Sequence, residues 1–271
     1  MQNKKKSRFL VNVIGVPSLL FFIVMGDSFI PAFSIFVFFT MLLSMYEWNN
    51  LCSIESSFNK FLNFLIMSLV FTLVYLKLDY SYLVLCFVVQ IFMLFLHQIF
   101  IGGNKPVSII SSSLLGVFFI GVFFSSLILI RSLEYGLTIS LMLFMSIWLC
   151  DTFAFVFGRA YGIRKIAPSI SPNKTIFGSF FGYLSGFFVP LIIYAFYPIL
   201  DWIFLDYIVC GFIFGVFGQI GDLSISLLKR DMGIKDTSSI LQGHGGILDR
   251  FDSLSFAAPF LYIFLYLNNL L

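Results

Sequence analysis

The stretch GLTISLMLFMSIWLCDTFAFVF, Gly136 to Phe157, settles the fold class: twenty-two residues carry a single charge, Asp151. A hydrocarbon core about 30 Å thick takes roughly 20 apolar residues at a helical rise of ~1.5 Å each, so a run of this length reads as a membrane-spanning helix. Similar runs flank it near residues 9–25, 28–46, 60–77, 80–100, 107–130, 177–198, 202–221 and 253–270. The strict alternation of a membrane barrel is absent, and an open strand edge in lipid leaves backbone groups unpaired. The expectation is an all-α polytopic integral membrane protein with nine spans, forming one domain over residues 1–271. Composition agrees, since 60% of the 271 residues are hydrophobic and only 11% charged, against ~25% charged in soluble domains.

Nine spans put the termini on opposite faces. With the N-terminus in the cytoplasm, Lys4, Lys5, Lys6, Arg8, Lys60, Lys105, Arg159, Arg164, Lys165, Lys174, Lys229, Arg230, Lys235 and Arg250 all fall inside, fourteen of sixteen basic residues. Only Lys77 and Arg131 remain outside, the asymmetry that the positive-inside rule asks for. A cleaved signal peptide fits less well: KKKSR precedes an apolar run, but no A-x-A-like site follows. The expected location is the cell (inner) membrane, multi-pass, with the N-terminus cytoplasmic. The net charge of +3 needs no nucleic acid, because anionic headgroups attract the same cytoplasmic cations. Cys52, Cys86, Cys150 and Cys210 stand singly, without C-x-x-C or metal-ligand spacing, and read as buried hydrophobes.

The acidic residues carry more information. If the sixth span ends near Gly158, Asp151 lies about 10 Å below the membrane boundary. An aspartate at a helix centre costs about 2.5–3.5 kcal/mol on insertion scales, so it faces protein, water or a cation. The bland alternative is a hydrogen-bonded aspartate joining two helices. Continuing the eighth span as a helix places Asp222, Ser226, Lys229, Arg230 and Gly233 in one stripe about 100° wide. Alone, that stripe is an ordinary snorkelling Lys-Arg pair.

The segment beyond that stripe is less ordinary. Asp231-Met232-Gly233 reads as a helix stop, and Gly243-His244-Gly245-Gly246 as a loop whose amides approach a ligand closely. Asp249 and Asp252 share a helix face, with Arg250 beside them; a capping role suits one of the two aspartates but not both. Carboxylates converging near lysines, arginines and a glycine-rich loop point to a divalent cation on a polyphosphate. The P-loop pattern is absent.

The run Ser226, Lys229, Arg230, Lys235, Asp236, His244, Gly245, Gly246, Asp249, Arg250, Asp252 closely resembles the C-terminal signature of the phosphatidate cytidylyltransferase family. A second block, Trp148, Asp151, Gly158, Arg159, Gly162, Ser171-Pro172-Asn173-Lys174-Thr175 and Gly178, is similar to that family's upstream motif. The motifs concentrate in 148–252, and the first half of the chain matches only in hydropathy. The chain departs from the family's usual residues at Gln242 (Pro or Gly), Asn173 (Lys) and Phe177 (Glu), while the aspartates, His244 and the Lys-Arg pair are intact.

The resemblance implies transfer of a cytidylyl group from CTP to phosphatidate, giving CDP-diacylglycerol and pyrophosphate with Mg²⁺ near the cytoplasmic face, in phospholipid biosynthesis. It implies Asp222 and Asp249 as metal ligands, with a second cation completing a two-ion centre, and Asp252 and Asp151 in support. Lys229, Arg230, Lys235 and Arg250 then bind phosphates, Asp236 orients one of those cations, and His244 contacts a phosphate or the loop. Ser226, Gly245, Gly246, Ser171, Lys174, Thr175 and Arg159 complete the substrate site. CTP, phosphatidate and membrane lipid are the expected partners, with a homodimer the oligomeric state kept open. Another CTP-dependent lipid or polyprenol transferase or kinase is the nearest alternative. A cation-coupled transporter predicts a midplane site between repeats, and no repeat is found. A CDP-alcohol phosphotransferase is disfavoured because the sequence has no Asp-Gly pair.

Overall fold

The computed structural model describes residues 15, 17–26, 31–101, 105–238 and 245–270. It is helical almost throughout, as the apolar runs require in lipid. Residues 17–25 form α1, and residues 9–14 and 16 of the run near 9–25 lie outside the described residues. Seven described helical stretches are long and apolar enough to cross a membrane. They are α2 (Ala32–Leu51), α3 (Ser57–Tyr75), α4 (Ser81–Ile101), Pro106–Arg131, α7 (Gly136–Tyr161), Ile176–Phe196 and α10 (Phe204–Asp231). Pro106–Arg131 runs as α5 (Pro106–Gly116), a π-helical segment (Val117–Phe123) and α6 (Phe124–Arg131). Ile176–Phe196 is divided into α8 (Ile176–Ser185) and α9 (Phe188–Phe196).

The last apolar run forms α11 (Leu248–Leu267), which starts five residues earlier than the run itself; Asp249, Arg250 and Asp252 in its opening turns keep it out of the seven.

One element escaped the hydropathy reading. Between α7 and α8 lies an antiparallel hairpin, β1 (Lys165–Ala167) and β2 (Ser171–Thr175), with an irregular register between Lys165 and Ala167. Strands of three and five residues are too short to show a period.

The chain forms two compact units. The first comprises residues 1–129 and 236–248. In it the Trp48 indole on α2 donates to the Ser112 carbonyl on α5 at 2.9 Å, and a polar chain crosses the apolar interior. Asn63 donates to Asn49 at 2.9 Å, and Gln90 donates to Asn63 at 3.2 Å. Such side-chain amides join helices where lipid offers no hydrogen bonds.

The second unit comprises residues 130–235 and 249–271, built on α7, α8 and α10. The crossing of α7 and α8 is set by glycine. A Cβ on Gly178 would stand 2.5 Å from the Ala154 carbonyl oxygen and 2.8 Å from Gly158 Cα, so α7 and α8 meet backbone to backbone. Thr175 caps α8 by accepting from the Gly178 N–H at 3.1 Å. Helix α10 continues past its apolar run to Asp231 and stops at Met232, with Gly233 at φ +69°, as the Asp-Met-Gly sequence implies.

Candidate active site

The crossing of α7 and α8, the hairpin and the C-terminal half of α10 enclose a cavity of about 610 Å³ in the second unit. Three of its walls supply charge. Helix α7 brings Asp151 and Arg159, the hairpin brings Lys165 and Lys174, and α10 brings Asp222. Ala154, Phe155 and Leu223 form an apolar side. Asp151 and Asp222 are thus gathered from positions 71 apart in the sequence, which the helix-stripe reading alone did not do.

Asp222 forms an ion pair with Lys174, whose side chain is 28% exposed against 29% for the carboxylate. Ser226, one turn on, donates to Asp222 at 3.4 Å, so the predicted stripe holds between these two residues. Asp252 on α11 lies within electrostatic reach of both Asp222 and Asp151. Like charges held together repel unless a cation intervenes. Lys174 and Arg250 partly offset that repulsion at Asp151. Asp252 also accepts from the Ser253 N–H at 2.7 Å; as the fifth residue of α11, it is not the cap of that helix.

The Lys229-Arg230 pair divides. Lys229, only 9% exposed, turns to Asp249 and donates to Oδ1 at 2.7 Å. Arg230 turns the other way, its Nε donating to the Ile170 carbonyl at 3.0 Å and its Nη1 to the Ile234 carbonyl at 3.2 Å. It ties the hairpin turn to the end of α10. Adjacent helical positions point about 100° apart, so a shared stripe 100° wide does not make a shared target.

The other candidates are spread. Thr175 is buried and lines the cavity; Ser171 is half-buried on β2. Lys235 and Asp236 are exposed beyond α10, and Gly245 and Gly246 are buried, Gly245 at φ +79°. His244 and Gln242 lie outside the described residues. Of the departures, Asn173 lines the cavity, while Phe177 packs on Phe181 with ring centroids 4.8 Å apart.

Among the lining residues that were not predicted, Lys165 and Gln219 bear most on the site. Lys165 is one of a basic pair counted only for topology. Gln219, one turn before Asp222, donates to the Ser179 carbonyl at 3.0 Å and to the Gly215 carbonyl at 2.8 Å, joining α8 to α10 at the cavity wall. Its position on the Asp222 stripe was the available signal.

Among the described residues no group of three or more His, Cys, Asp or Glu has the geometry of a ready-made metal cage. The donor set nevertheless suits a hard cation: Mg²⁺ takes one or two carboxylates and completes its shell with water and substrate phosphate. The Lys174 ammonium against Asp222 already marks that carboxylate as a place where positive charge is held.

A family model described as Cytidylyltransferase family matches residues 6–268. The phosphatidate cytidylyltransferase of Staphylococcus epidermidis is 45% identical over 152 residues, which cover 56% of this chain and 57% of that protein. The protein of the same name from Staphylococcus saprophyticus is 44% identical over 154 residues, covering 56% and 57%. That from Bacillus subtilis is 42% identical over 155 residues, 56% of each chain. The matched stretch spans a little over half the length of each relative.

Proposed function

This chain belongs to the cytidylyltransferase family, and from that premise we propose that it transfers the cytidylyl group of CTP to phosphatidate, giving CDP-diacylglycerol and pyrophosphate. The observation that carries the reading is the cavity in which Asp151 and Asp222 face Arg159, Lys165 and Lys174. That array pairs metal-type donors with phosphate-type donors, and the name of the relatives, phosphatidate cytidylyltransferase, supplies the acceptor.

In this reaction an oxygen of the lipid phosphate attacks the α-phosphorus of CTP, the bond from that phosphorus to the bridging oxygen breaks, and pyrophosphate leaves. A phosphate monoester has its second pKa at about 6 and is largely dianionic at neutral pH, so no strong general base is needed. The protein's work is positioning and charge stabilisation. Arg159, Lys165 and Lys174 hold phosphate oxygens; Lys174 exchanges part of its hold on Asp222 for the substrate. Arg250, Lys235 and Arg230 are proposed as outer phosphate contacts, with Ser226, Ser171, Thr175, Asp236, Gly245, Gly246 and His244 shaping the surroundings. Asp222 and Asp249, supported by Asp252 and Asp151, would hold Mg²⁺ and a second cation, and Lys229 keeps Asp249 oriented. The chemistry the ion supplies when bound is neutralisation of triphosphate charge.

The site is proposed at the cytoplasmic face, with the N-terminus on that side, on the strength of the fourteen-to-two division of basic residues. There CTP arrives from the cytosol and the lipid presents its phosphate at headgroup level.

The test uses purified protein, Mg²⁺ and CTP labelled at the α- or the γ-phosphorus, with phosphatidate, diacylglycerol or a polyprenol as acceptor. The expected result is α-label in lipid with phosphatidate alone, and γ-label in pyrophosphate. Transfer of γ-label to an acceptor identifies a kinase and removes the proposal.

A further inference from the structure

Glu47 on α2 has a fully buried side chain. Each of its carboxylate oxygens accepts two hydrogen bonds. Oε1 receives the Ser238 hydroxyl at 2.6 Å and the Ile247 N–H at 2.9 Å. Oε2 receives the Thr237 hydroxyl at 3.1 Å and the Leu248 N–H at 2.8 Å. A carboxylate offers about four acceptor positions, and here all are taken.

The four donors come from both ends of one segment. Thr237 and Ser238 precede residues 239–244, and Ile247 and Leu248 follow them. A single side chain therefore pins both ends to the same point of α2. Gly246 makes the approach feasible, because a Cβ there would collide with both Glu47 oxygens and with the Thr237 hydroxyl. Leu248 also opens α11. The first N–H groups of a helix have no partner inside it, and Glu47 supplies the acceptors for Leu248 and the residue before it.

We propose that Glu47 is a positioning residue for the reaction proposed above, and the inference rests on that reading. By fixing the residue at which α11 begins, it sets the register that delivers Asp249 one position later and Asp252 one turn beyond. The carboxylate is specifically required. A glutamine in either orientation turns its NH₂ toward one backbone N–H, which cannot reverse, whereas a hydroxyl can rotate to accept. Aspartate is one methylene too short to keep all four bonds.

The full-length protein, in nanodiscs, tests this as wild type, Glu47→Gln and Thr237→Val, by amide hydrogen exchange, thermal unfolding and steady-state kinetics. In Glu47→Gln the amides of Ile247 and Leu248 exchange roughly tenfold faster or more, since a buried donor has lost its acceptor, while α3 and α10 keep their protection. In the same variant kcat falls about tenfold to a hundredfold, and KM for CTP moves less than about threefold, as expected of misplaced rather than missing contacts. Thr237→Val moves both readouts the same way by less. Unchanged exchange at 247–248 in Glu47→Gln overturns the clamp, and faster exchange with unchanged kcat overturns the positioning role. If Glu47→Gln does not fold, Thr237→Val decides: a local exchange increase with reduced kcat supports the proposal, and wild-type values in both refute it. A wild-type protein that makes no CDP-diacylglycerol strikes the functional reading instead, and is distinguished because the clamp is read from exchange without substrate.

Discussion

Two acidic residues, one in each unit, are treated in opposite ways. Glu47 meets four donors, and these backbone amides and hydroxyls saturate it. Asp222 meets one ammonium and one weak hydroxyl contact, with the Asp252 carboxylate within electrostatic reach. Burial of a charge is costly unless its hydrogen-bonding capacity is filled. Glu47, fully buried, satisfies that condition within the fold, whereas Asp222 is part-exposed and its remaining acceptor positions are open to water or a ligand. The contrast separates an acid that holds the chain from an acid left with capacity for a ligand.

The largest expected effect breaks the Asp222 side of the contrast. Asp222→Asn should lower cytidylyl transfer on the order of 10²–10³-fold, the range for losing one well-placed charge-stabilising group; activity within a factor of a few of wild type would remove Asp222 from the site. Lys174→Met should follow at about 10²-fold. Because the two residues act on one another, the double variant should fall well short of the product of the single effects, a double-mutant cycle that sharpens whether their ion pair belongs to the working site.

Smaller effects test the scaffold. Gly178→Ala forces a methyl against the Ala154 carbonyl and Gly158, and should cost about 1–3 kcal/mol of stability, seen as a lowered unfolding temperature in detergent. Ser226→Ala removes only a 3.4 Å contact to Asp222. It should change kcat by less than about threefold, in keeping with a weak neutral donor. A Ser226 effect rivalling that of Lys174 would mean that the hydroxyl, not the ammonium, is the main partner of Asp222.

Much of this could be read along the chain. The helices announce themselves because lipid demands long apolar runs, and the end of α10 is written in Asp231-Met232-Gly233. Asp151 and Asp222 stood out because an aspartate in an apolar run requires a reason. The pairing was not legible. That Lys174 chooses Asp222, while Lys229 turns away to Asp249 and Arg230 to backbone carbonyls, depends on how the hairpin and α11 pack against α10, which no local period encodes. The hairpin itself was invisible because its strands are shorter than any alternation. Glu47 passed unnoticed for a related reason: its partners lie about 200 positions away, and a lone glutamate near the end of an apolar run looks like a residue at the water's edge.

Binding of Mn²⁺, standing in for Mg²⁺, followed by electron paramagnetic resonance in the presence of a non-hydrolysable CTP analogue, tests the central contrast most directly. The account predicts that wild type binds the ion with the nucleotide and that Asp222→Asn weakens that binding roughly tenfold to a hundredfold. Equal Mn²⁺ affinity in the two proteins would contradict it.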